Sequence, residues 1–130
     1  MKTIKQTVTF AATPHEVYDA LMSSKKHAAF TGAAAKISDK KGGKFSAYDG
    51  YCEGVNLALT KDKKIVQTWR ASDWPDDHFS KVTFALSKTG SGTKIVFTQT
   101  DVPEKQARSI AKGWTEFYWN PLRTYLEKPS

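Results

Sequence analysis

Apolar positions in residues 101–127, DVPEKQARSIAKGWTEFYWNPLRTYLE, recur at steps of three and four. Ala107, Ile110, Ala111, Trp114, Phe117, Tyr118, Leu122 and Tyr125 therefore share one stripe, with Lys105, Ser109, Lys112, Glu116, Asn120, Arg123 and Glu127 opposite. The spacing predicts one long helix of about 37 Å at 1.5 Å per residue. Asp101 and Glu104 have the spacing of a capping box, and Pro103 suits a first turn. Two positions resist the pattern. Gly113 costs about 1 kcal/mol against Ala in a helix interior. Pro121 withdraws the N–H that would bond the carbonyl of Phe117, which predicts a kink.

An apolar face of that length needs a wide partner surface, and the preceding chain supplies strands. Ile4, Gln6, Val8 and Phe10 alternate with polar residues as a half-buried strand does. Thr13-Pro14-His15-Glu16 reads as a capped helix start that turns Val17, Ala20 and Leu21 inward. Ser24 is the expected cap of a second short helix holding His27 and Phe30, ended by Thr31-Gly32. From residue 34 to 100 the pattern is a meander of short strands, with turns at Asp39-Lys40-Lys41-Gly42-Gly43, Asp49-Gly50, Lys61-Asp62-Lys63-Lys64 and Thr89-Gly90-Ser91-Gly92. Val55, Leu57 and Leu59 are expected on one buried face, as are Val82, Phe84 and Leu86, and Ile95 with Phe97. Tight turns between successive strands imply antiparallel pairing. The fold class is thus α+β. A curved antiparallel sheet of about six or seven strands closes around a long C-terminal helix, with two short helices after the first strand.

Length and charge narrow the picture further. A chain of 130 residues with 39% hydrophobic and 12% aromatic residues suits one domain, residues 1–130, with a core of its own. No stretch approaches the ~20 apolar residues of a membrane span. Met1-Lys2-Thr3-Ile4-Lys5-Gln6 lacks the apolar core of a signal peptide, and a lone Cys52 excludes an internal disulfide, so the expected compartment is the cytoplasm. Net charge is +7, and nine lysines between Lys25 and Lys64 carry most of the excess. A basic surface attracts acidic partners of any kind. These lysines sit mainly in turns, without interleaved aromatics, which argues against nucleic acid.

Several runs resemble a known family. They are Phe30-Thr31-Gly32-Ala33, Gly42-Gly43-Lys44-Phe45, Asp49-Gly50-Tyr51, Lys64-Ile65-Val66-Gln67-Thr68-Trp69-Arg70, Ser72-Asp73-Trp74-Pro75, and Gly113-Trp114 through Tyr118-Trp119-Asn120-Pro121-Leu122. Together they are similar to the activator of heat-shock protein 90 ATPase (Aha-type) domain, within the helix-grip superfamily of START-related and birch-pollen-allergen-like proteins. The resemblance implies a helix-grip fold. It also implies a non-enzymatic co-chaperone that contacts the nucleotide-binding domains of heat-shock protein 90 and favours their ATP-competent dimer. In the eukaryotic co-chaperone this domain is the C-terminal of two, and the first residues here do not show the Asn- and Trp-rich start of the other. Elsewhere in the superfamily the same fold holds apolar ligands.

Candidate sites follow from both readings. Trp69, Phe84, Ile110, Trp114, Phe117 and Tyr118 are candidates to line a cavity between helix and sheet for a small apolar ligand, with ordinary core packing as the alternative. Gln67, Thr98 and Gln99 are possible polar contacts there. Lys40, Lys41 and Trp74 are candidates for a partner surface, Trp74 because exposed tryptophans anchor interfaces; the alternative is that it folds back to cap the sheet. Asp73, Asp76, Asp77 and His78 are too close in sequence to converge on a metal, and no cofactor is implied. His15, His27 and His78 fall in separate elements, away from any nucleophile motif, so no catalytic residue is assigned. An enzyme of cyclase or hydrolase type would require a buried acid–base pair beside the cavity.

Overall fold

The computed structural model describes residues 1–75 and 77–127. Seven strands form one sheet: β1 (Lys2–Phe10), β2 (Lys36–Ile37), β3 (Lys44–Ala47), β4 (Cys52–Thr60), β5 (Lys64–Ala71), β6 (Ser80–Thr89) and β7 (Gly92–Val102). They pair antiparallel in the order β1-β7-β6-β5-β4-β3-β2, so each neighbour from β2 to β7 is also next in sequence. Short hairpins make this possible. Tyr48, Asp49 and Gly50 all take positive φ between β3 and β4, and Gly90 does so between β6 and β7.

Two helices follow β1. In α1 (Pro14–Met22) the Thr13 hydroxyl accepts from the Glu16 N–H while the Glu16 carboxylate accepts from the Thr13 N–H, the reciprocal box that the sequence predicts. In α2 (Ser24–Thr31) the cap is Ser23, one residue earlier than expected. Ser24 instead clamps β2, its hydroxyl accepting from the N–H of Ile37 and donating to that residue's carbonyl. Gly32 ends the helix at φ 75°.

The C-terminal segment from Glu104 to Leu126 is one long continuous helix, as expected, but its winding changes along its length. Strand β7 runs on to Val102, Asp101 takes φ 62°, and no side chain caps the helix start, so the expected Asp101–Glu104 box does not form. Glu104 pairs with Lys2 of β1 instead, and a 3-10 turn (Glu104–Gln106) leads into α3 (Ala107–Trp114). A π turn then spans Thr115–Trp119, closed by the Asn120 N–H bonding back five residues to Thr115, before α4 (Asn120–Leu126). Pro121 lies in the first turn of α4. Its missing N–H is matched from outside: the Tyr48 hydroxyl donates to the carbonyl of Phe117.

The extra residue of the π turn moves the apolar stripe. Trp119, five residues after Trp114, is 1% exposed and stacks on it at 5.6 Å and 26°. Phe117 leaves the stripe and is 58% exposed. The helical layer lies on the inner face of the sheet, where Phe97 meets Trp114 at 4.4 Å and Trp119 at 5.4 Å between ring centres. Arg123 donates to the carbonyl of Thr9, and Glu127 accepts the N–H of Ala11, fastening α4 to the end of β1.

Strand β4 corrects a second expectation. Its core face is Cys52, Gly54 and Asn56, whereas Leu57 is exposed and Val55 only half-buried. A register shift between Asn56 and Ala58 breaks the alternation, so Leu59 rejoins the core from the other phase. Gly54 is required here, because a Cβ would stand 1.8 Å from the backbone oxygen of Thr68. Among the described residues no helix is long and apolar enough to cross a membrane.

Candidate functional site

The helical layer does not cover the inner face evenly. Between α3, the π turn and strands β4 and β5 lies a recess of about 410 Å³. Trp69 of β5 and Ile110, Trp114 and Tyr118 of the helical segment form its walls, and Cys52 of β4 also lines it. Tyr48, Tyr51, Ser109 and Phe117 surround the mouth, where Tyr51, Ser109 and Phe117 are exposed. Gly113 completes the lining.

The structure therefore brings together five of the six cavity candidates: Trp69, Ile110, Trp114, Phe117 and Tyr118. Phe84 is fully packed behind them, 5.9 Å from Trp114 and 5.1 Å from Phe97, and borders only a small inner void of about 20 Å³. Of the polar candidates, Gln99 is buried and accepts from the indole N–H of Trp114 while its amide donates to Ser80, which donates to the carbonyl of Trp69. That chain holds the indole of Trp114 and the backbone of Trp69. Gln67 is buried and donates to Asn56 beside the inner void, and Thr98 points to the outer face.

Sequence spacing gave no hint of one pairing. His27 of α2 and Tyr118, 91 residues apart, are joined by a hydrogen bond between Nε2 and the phenol. Burial pushes the Tyr118 hydroxyl well above its usual range and His27 down to about 4. Both are thus neutral near pH 7, the phenol donates to Nε2, and Nδ1 keeps the ring proton with no partner among the described residues. Burial likewise pushes the Cys52 thiol up to about 12, leaving it protonated and a poor nucleophile.

The partner-surface candidates divide. Trp74 is 3% exposed, edge-on to Trp69 at 5.3 Å and to His78 at 5.6 Å, with its carbonyl accepting from Arg70. It caps the end of the sheet and is no exposed anchor. Lys40 and Lys41 are exposed on the loop between β2 and β3. That loop is held from beneath: the buried Asn56 amide donates to the carbonyls of Ser38 and Lys40, and Gly42 donates to the carbonyl of Asn56. Asp76, the remaining member of the acidic loop, lies outside the described residues. His15 bonds Asp62, and His78 bonds the carbonyl of Asp101, so neither joins the recess.

Gly113 sits mid-helix with ordinary backbone angles, and a Cβ there would meet only Phe117 Cδ2, at 3.8 Å. Gly113→Ala is therefore expected to raise stability by about 1 kcal/mol. A urea melt checks this; a loss of stability would mean that the recess is smaller than described.

Comparison with known proteins adds the following. Residues 11–127 match the family model described as Activator of Hsp90 ATPase homolog 1-like protein. The Activator of 90 kDa heat shock protein ATPase homolog of Dictyostelium discoideum is 36% identical over 114 residues, covering 87% of this chain and 30% of that protein. Its human counterpart, homolog 1, is 29% identical over 121 residues, covering 93% of this chain and 35% of that protein. The chain spans about a third of the length of these relatives. The crystal structure of PFC0360w, an HSP90 activator from Plasmodium falciparum, superposes with a TM-score of 0.90 at 25% identity, covering 99% of each chain.

Proposed function

Because the chain belongs to the Activator of Hsp90 ATPase homolog 1-like family, we propose that it acts as a co-chaperone domain, binding heat-shock protein 90 and favouring its ATP-competent state without being an enzyme itself. The observation that carries this reading is the family match across residues 11–127, joined to near-complete superposition on a solved activator of similar length. The mechanism needs no chemistry from this chain. A protein that binds the closed chaperone dimer more tightly than the open one shifts that equilibrium by the difference in affinity.

The loop bearing Lys40 and Lys41 is the surface we assign to this contact. Its cations face solvent while Asn56 fixes its backbone, so little ordering entropy is lost on binding. The test is titration of this chain into full-length heat-shock protein 90 at low salt, with ATP turnover and binding followed together. Turnover is expected to rise and binding to weaken with added salt. Lys40→Glu with Lys41→Glu is expected to weaken binding by about tenfold. Absence of both binding and stimulation by the unaltered chain would overturn the reading.

A further inference from the structure

Strand register gathers charge that the sequence scatters. On every strand one phase of side chains meets the helical layer, and the other forms the outer face of the sheet. Lys5 of β1, Lys36 of β2, Lys44 of β3, Lys64 of β5, Lys81 of β6 and Lys94 of β7 all take the outer phase and are exposed. None of the six has an ion-pair partner among the described residues. The chain has 13 acidic residues, yet among the described residues Glu53 is the one carboxylate at a paired strand position, and it lies 3.7 Å from Arg70. A merely solvated face mixes both signs, and opposite charges on neighbouring strands stabilise a sheet. This face forgoes both.

From this one-signed face we infer that the outer side of the sheet is a docking surface for an acidic polypeptide segment of a protein partner. Spacing sets the size of what it takes. By register, Lys94 and Lys64 stand about 12 Å apart and Lys64 and Lys81 about 14 Å, at ~4.8 Å between strands and ~3.4 Å per residue. Side chains so spaced, and roughly perpendicular to the sheet, do not converge on one small anion, so the partner carries several charges. Shape and composition then choose among polyanions. The face is about 29 Å across its seven strands, too broad for the ~12 Å major groove of a duplex, and its paired outer positions hold no aromatic ring on which single-stranded bases stack. A twisted sheet is a saddle, so its lysines do not reach a flat bilayer together. A flexible acidic chain follows the saddle, and the small side chains of Thr83, Ala85, Val96 and Thr98 between Lys81 and Lys94 leave room for its backbone. The surface is separate from the loop of Lys40 and Lys41 and does not rest on the chaperone reading.

Poly-L-glutamate titrated into the whole chain at neutral pH tests this. Binding is expected to saturate, to weaken with added salt, and to move backbone amide resonances of β5, β6 and β7 rather than those of α1 and α3. The combined variant Lys64→Glu, Lys81→Glu and Lys94→Glu is expected to bind about tenfold more weakly or worse. Its control is Lys25→Glu, Lys105→Glu and Arg108→Glu, three exposed positions on the helical side with the same change in net charge. At physiological ionic strength the Debye length of about 8 Å screens that side from the outer face, so the control is expected to lose less than about threefold. All six positions are exposed, and both variants are expected to keep the parent's melting temperature. Should the first fail to fold, the same three lysines changed to glutamine are expected to give a loss of about threefold. Absence of saturable binding, or equal losses in the two charge-matched variants, would overturn the inference. So would duplex DNA or phosphatidylserine vesicles that bind more tightly than poly-L-glutamate and lose that affinity only in the outer-face variant, since the face would then serve another class of partner.

Discussion

Replacing Trp119 with alanine is expected to remove about 3–5 kcal/mol of stability, the usual range for a fully buried tryptophan. The indole is 1% exposed, lies against Phe97, Phe84 and Phe10, and donates its N–H to Gln6 of β1. Gln6 in turn donates to the carbonyl of Ala111, so one strand side chain ties β1 to two points of the helical layer. Truncation removes the ring and leaves the Gln6 carbonyl oxygen without its donor. Against a total stability of about 5–15 kcal/mol, that loss moves a urea midpoint by a large fraction of its value. Phe117→Ala is the matched control. Its ring is 58% exposed, so the cost is expected below about 1 kcal/mol, as for surface positions. Equal costs for the two would mean that the π turn between Trp114 and Trp119 is wrongly placed.

That contrast also shows where the sequence was readable. A 3.6-residue period selects Phe117 and passes over Trp119, because the period assumes that every turn bonds four residues back. A π turn adds one residue and rotates everything after it. Pro121 was the available signal. Its missing N–H frees a carbonyl and disturbs the regular ladder near it, yet sequence alone does not say whether a kink, a break or a wider turn results. The same limit applies to β4. Alternation names Val55, Leu57 and Leu59 as the buried face, but the register shift after Asn56 and the close approach at Gly54 turn Cys52 and Asn56 inward instead. Elements made by local chemistry, such as the Thr13–Glu16 box and the Asp49-Gly50 hairpin, were fully legible. The site was legible in its aromatic half only. Trp69, Trp114 and Tyr118 announce themselves by type and spacing, while His27 against Tyr118 and Asn56 under the Lys40 loop depend on long-range pairing. Trp74 marks the converse error: loop position suggested exposure, and the packing of its ring on Trp69 buries it.

The buried histidine makes the domain acid-sensitive in a defined window. His27 is lowered to about 4 in the folded protein by burial, and an unfolded histidine titrates near 6.5. Between those values the unfolded chain binds the proton and the folded one does not, so stability falls as pH falls from about 7 toward 4 and is fully present above 7. The loss attributable to this side chain is about 2–3 kcal/mol at pH 4.5. Glu16 acts in the same direction, because its bonds to the Thr13 backbone and hydroxyl lower its pKa, but it is solvent-exposed and its share is correspondingly screened. His27→Phe separates the two. The aromatic ring keeps the contacts with Phe30 and Tyr118, removes the unpartnered Nδ1, and leaves the Tyr118 phenol without its acceptor. Stability at neutral pH is therefore expected to drop modestly, while the slope between pH 7 and 4.5 flattens. Urea unfolding at a series of pH values reads the slope independently of the level. A variant that keeps the parent's full slope would place the acid sensitivity elsewhere, and would mean that His27 takes up its proton as readily in the folded core as in the unfolded chain.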